Sequence, residues 1–147
     1  MKKPRFLPIL IAALLSGVLT LPPPPALAAE KAEAPVSIPA TAPAIWQAID
    51  QQTAALGRAI QTGAFNEVHH RAYAIRDLVM ALPARSNMLP ADKLAQVKAN
   101  LPFVATLAQR LDATGDAKDR AGTESNFRKL QQILAAIRAN YPKTLKP

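Results

Sequence analysis

The chain contains no cysteine. That excludes a disulfide framework, so the fold must be held by a packed core. It also excludes covalent c-type haem, which needs a cysteine pair before a histidine, and it leaves no site for a lipid anchor. Recognisable catalytic groupings are missing as well. There is no Gly-flanked serine elbow, no H-E-x-x-H, and no carboxylate pair set inside an apolar seam where burial would split two pKa values. No enzyme activity is expected. Alternating strand patterns are absent, and basic residues are not interleaved with aromatics in the way that nucleic-acid binding needs.

The N-terminus is the clearest segment present. Lys2, Lys3 and Arg5 form a positive start with no acid near it. An apolar run from Phe6 to Leu21 follows, and Ala26-Leu27-Ala28 supplies the small residues that signal peptidase requires. This order is that of a secretory signal peptide over residues 1–28, cleaved near Ala28-Ala29. The run is short for a span, and Pro22 to Pro25 stop it abruptly. The alternative is an uncleaved signal anchor. Either way the chain is expected to be exported to the periplasm.

The whole chain has 18 basic and 10 acidic residues. Removing Lys2, Lys3 and Arg5 leaves fifteen basic residues, a formal charge of +5. That charge is scattered and reads as a solvated surface with weak affinity for anionic lipid or an acidic partner. Residues 29–43 are rich in Ala and Pro, with Pro35, Pro39 and Pro43 four apart. They read as a flexible leader, because proline at that spacing forbids a continuous helix.

From Ala44 onward the period is helical. A first helix is expected over residues 44–62, with Ile45, Ile49, Leu56 and Ile60 on one face and Gly63 at its end. A second covers residues 64–82, its seam formed by Phe65, Val68, Ala72, Ile75, Val79 and Leu82. A third begins near Pro90, at a first helical position, with Leu94, Val97, Leu101, Val104, Ala108 and Leu111 inward and Pro102 as an internal kink. Residues 114–122 read as a polar connection, with Thr123 as N-cap of a fourth helix carrying Phe127, Leu130, Leu134, Ile137 and Tyr141. Four similar helices with short connections predict an all-α, antiparallel up-down four-helix bundle over residues 44–142, followed by a basic tail at 143–147.

A b-type haem would need axial His or Met on facing helices, and the first and fourth helices have neither. What remains is His69-His70 on the second helix, with Tyr73 within reach of either ring. Adjacent helical positions point about 100° apart, so a metal would need helpers, for which Glu67, Asp77 and Met80 are the candidates. Imidazole suits copper, zinc or nickel, and the thioethers of Met80 and Met88 would suit Cu(I). The competing reading packs His69 at the bundle edge and leaves His70 solvated. Asp112, Asp116 and Asp119 lack the spacing of a calcium loop and read as turn and cap residues.

Several stretches carry a resemblance: residues 69–78, 89–94, 111–116 and Asn140-Tyr141-Pro142. They resemble a group of small proteobacterial periplasmic helical-bundle proteins often encoded beside heavy-metal or copper efflux systems. The resemblance implies a periplasmic accessory role near metal handling, with an envelope protein such as an efflux system as partner. The expectation is a non-enzymatic binding or accessory protein. The alternative is a structural or protein-interaction module of the envelope with no metal site.

Overall fold

The computed structural model describes residues 36–142. The signal peptide, the leader up to Pro35 and the basic tail lie outside them. The described residues form four α-helices: α1 (Ala42–Thr62), α2 (Val68–Ala81), α3 (Ala91–Asp116) and α4 (Arg120–Arg138). Among these residues no helix is long and apolar enough to cross a membrane.

α1 starts two residues earlier than its apolar pattern does. Thr41 is extended, and its hydroxyl accepts from the Ala44 N–H at 3.4 Å, which caps the first turn. Pro43, expected to close the leader, sits in that first turn, where no backbone N–H is needed. Gly63 ends the helix with φ +77°. Its N–H reaches the Ile60 carbonyl and the Ala64 N–H reaches that of Ala59, the paired bonds of a Schellman motif.

α2 is shorter than the expected 64–82 helix. A 3₁₀ turn, Phe65–Glu67, precedes it and a second, Pro83–Arg85, follows. Pro83 has no N–H to continue the ladder, so the chain tightens there.

α3 begins at Ala91, with Pro90 just ahead of it rather than in the first helical position. It continues past Pro102, whose exposed side leaves the missing bond facing water. It also absorbs Thr114, Gly115 and Asp116, which the sequence reading assigned to the connection. Gly115 permits this. A Cβ there would lie 3.0 Å from the Val68 Cβ, so only glycine lets α3 reach the start of α2. The helix closes on a second Schellman motif. Lys118 N–H bonds to Gly115, Asp119 N–H bonds to Thr114, and Lys118 takes φ +53° where glycine usually sits.

The N-cap of α4 is Asp119, not Thr123: its carboxylate accepts from the Gly122 N–H at 3.0 Å. Thr123 is buried inside the first turn and bonds back to the Asp119 carbonyl.

The core follows the expected seams, with Ile45, Ile49, Leu56, Ile75, Val97, Leu111, Leu130 and Ile137 all essentially inaccessible. Each such side chain contributes about 1.5–3 kcal/mol of burial. Leu101 is only half-buried and packs against the core from its edge. Trp46, Ala74, Leu78 and Leu107 are buried in addition. α2 bears on both α1 and α3, and α3 on α4, whereas α1 and α4 meet only sparsely.

Candidate functional site

His69 stands one residue into α2, beside the fully buried Val68. That register turns its ring toward α3, where Asp112 lies near the far end of the helix. His69 Nδ1 and Asp112 Oδ1 are 2.7 Å apart, and both side chains are about a quarter exposed, at 27% and 25%. An ionised carboxylate only accepts, so Nδ1 carries the proton and, in the neutral ring, the lone pair is on Nε2. The other Asp112 oxygen accepts from the Tyr73 hydroxyl at 3.3 Å. Asp112 therefore joins two α2 side chains one turn apart. It was read as a turn residue; the structure places it inside α3 and makes it the link between the helices.

The rings stack around this anchor. His69 and Tyr73 are 4.8 Å apart between centroids, and Arg76 lies 4.2 Å over the Tyr73 ring. His70 meets His69 edge-on, with centroids 5.4 Å apart and planes at 85°. Two imidazoles sharing a tetrahedral ion at ~2.1 Å would have ring centres about 5 Å apart. The observed spacing is close to that, even though neighbouring helical positions diverge. His70 is half-buried rather than fully solvated.

The expected helpers are not brought in. Glu67 pairs with Arg71 at 3.3 Å, and Asp77 with its neighbour Arg76 at 2.8 Å. Met80 is exposed, eleven positions and so ~16 Å along the helix axis from His69. Met88 stands almost wholly in solvent in the connection before α3. Among the described residues no three His, Asp or Glu side chains converge as a ligand cluster. Of the three aspartates read as turn and cap residues, Asp119 has that role and Asp112 does not.

At the opposite end of α2 a second polar link joins distant segments. Ser86 donates to the Leu82 carbonyl at 2.6 Å, which leaves its oxygen to accept from Tyr141 at 2.8 Å. Tyr141 packs edge-on against Trp46, with centroids 5.5 Å apart. Burial raises the Tyr141 pKa above 10.0.

With known protein families, curated proteins and solved structures as the comparison, the chain matches none.

Proposed function

We propose that this chain is an exported, periplasmic, non-enzymatic accessory protein that binds a copper, zinc or nickel ion at His69 and His70. The observation that carries the reading is the Asp112–His69 bond. Metal-ligating histidines commonly donate their second N–H to a carboxylate, which fixes the tautomer and raises ligand basicity. Asp112 is placed to fix the His69 tautomer in this way, which leaves Nε2 as the coordinating atom. His70, at 5.4 Å, is the second ligand. Water or a group from a partner, an efflux system among them, fills the remaining positions, as suits a protein that passes its ion on.

The site belongs to an antiparallel up-down arrangement of the four helices. The end contacts support it. Trp46, Ser86 and Tyr141 meet at one end. At the other, Arg120 donates to the Ile60 carbonyl at 2.9 Å and Gly115 lies against Val68. The site then lies toward the end where α2 begins and α3 finishes.

Calorimetric titration with Cu(II), Zn(II) and Ni(II) tests the reading. Wild-type protein should bind at least one ion more tightly than a His69→Ala/His70→Ala double variant with unchanged helicity. Equal binding by the two would remove the metal site.

A further inference from the structure

A trough runs between α1 and α4, which meet only sparsely. Three hollows of about 210, 410 and 240 Å³ share lining residues and succeed one another from Trp46 to Gln61. That stretch of α1 is ~22 Å long. Ile49, Leu134 and Gly57 give it apolar lining, while Gln61 and Gln131 supply amides.

Trp46 and Thr53, which line the first hollow, each carry a buried polar atom with no hydrogen-bond partner among the described residues, Nε1 and Oγ1. Thr53 is an exception within its own class. Thr62, Thr106, Thr114 and Thr123, the other helical threonines, all bond back to the carbonyl four residues earlier. Thr53 does not, although its hydroxyl is closed to water. Trp46 is 98% buried, at 2% exposure, and its indole can only donate. Buried groups left unpaired are costly, and two on the lining of one hollow mark a place built to be filled.

The charges along the trough narrow what fills it. Asp50 is paired with Arg138 and Glu124 with Arg120, whereas Arg58 and Arg128 make no ion pair among the described residues. The uncompensated charge is positive. An extended polypeptide offers carbonyls to the indole, and at ~3.3 Å per residue about seven residues span the trough. Arg138, which lies 4.3 Å over the Trp46 ring, holds Asp50 through an exposed pair, and such pairs are weak enough to swing aside.

We infer that the α1–α4 trough docks an extended acidic segment of a partner polypeptide, with backbone carbonyls on Trp46 Nε1 and acidic side chains on Arg58 and Arg128. This rests on different residues from the histidine site and stands without it.

Trp46 is the single tryptophan, so its fluorescence reports occupancy directly. The purified chain is titrated with a capped heptapeptide alternating Glu and Ala, beside its Lys-for-Glu counterpart. The acidic peptide should give a saturable change in emission, and the basic one none. An Arg58→Glu/Arg128→Glu variant should bind the acidic peptide at least tenfold more weakly, and Thr53→Val several-fold more weakly, both with unchanged helicity. The proposal is overturned if the two peptides act alike, if neither changes emission, or if charge reversal leaves affinity intact. It is equally overturned if anionic vesicles give the response and the peptide does not, or if crystals soaked in peptide hold only water at Trp46 Nε1 and Thr53 Oγ1.

Discussion

Tyr141 gives its hydroxyl proton to Ser86, fifty-five residues away in sequence, because the Ser86 proton is already committed to the Leu82 carbonyl. One two-bond chain thus ties the segment after α4 to the end of α2. Burial holds the phenol above its ordinary pKa of 10.0, so the native state keeps this proton better than the unfolded chain does. The stabilisation is complete below pH 10 and disappears as pH rises through the native value. Tyr141→Phe should cost about 1 kcal/mol at neutral pH. It should also flatten the fall in stability above pH 10, read by denaturant melts of both proteins from pH 8 to 11. Parallel curves would count against this assignment.

Asp112→Ala removes the acceptor that His69 and Tyr73 share. The loss of a part-buried charged hydrogen bond should lower stability by about 1–2 kcal/mol. Copper, zinc or nickel affinity should fall about 10–100-fold, as it does when a ligand histidine loses its orienting carboxylate. Asp112→Asn keeps an acceptor and should recover most of the stability. Calorimetric titrations of the two variants check this.

Two helix ends use the same left-handed exit with different residues. Gly63 takes φ +77° without strain, whereas Lys118 takes φ +53° with a Cβ to accommodate. Lys118→Gly should raise stability and Gly63→Ala should lower it, each by about 1 kcal/mol. Opposite shifts in urea midpoint are the expected readout.

Alanine at an interior helical glycine ordinarily adds about 1 kcal/mol of stability. Gly115→Ala should do the reverse, because the new methyl would meet Val68 Cβ at 3.0 Å and the Phe65 carbonyl at 3.4 Å. Clearing the first obstacle with Val68→Ala should shrink the penalty, so the two changes should be non-additive by 0.5 kcal/mol or more on a double-mutant cycle. Additive melting shifts would mean that the helices part without resisting.

The apolar seams were legible because three-four spacing marks the face that a helix buries. Val68, Ala72, Ile75 and Val79 show it directly. The same spacing describes one stripe, and α2 buries two. It packs on both α1 and α3, so Ala74 and Leu78 are covered as well, on a second stripe that Ala81 continues. Caps were less legible. Thr123 and Asp119 are both good capping residues, and Lys118 decides between them by leaving α3 in a left-handed conformation three residues later than the glycine suggests. At the site, the two histidines were readable but Asp112 was not. Its role comes from the pairing of α2 with α3 across forty-three residues, and local pattern cannot supply that register.

The sparse meeting of α1 with α4 has a kinetic side. Nearly all the packing joins helices that are neighbours in sequence, so each helix pair closes over a short loop and the average contact spans few residues. Chains of that kind fold within microseconds to milliseconds, and only the last step, bringing the final helix against the first, requires the ends of the domain to find each other. Hydrogen exchange should therefore divide the molecule, with α2 and α3 protected longest and the seam between first and last helix opening before the rest.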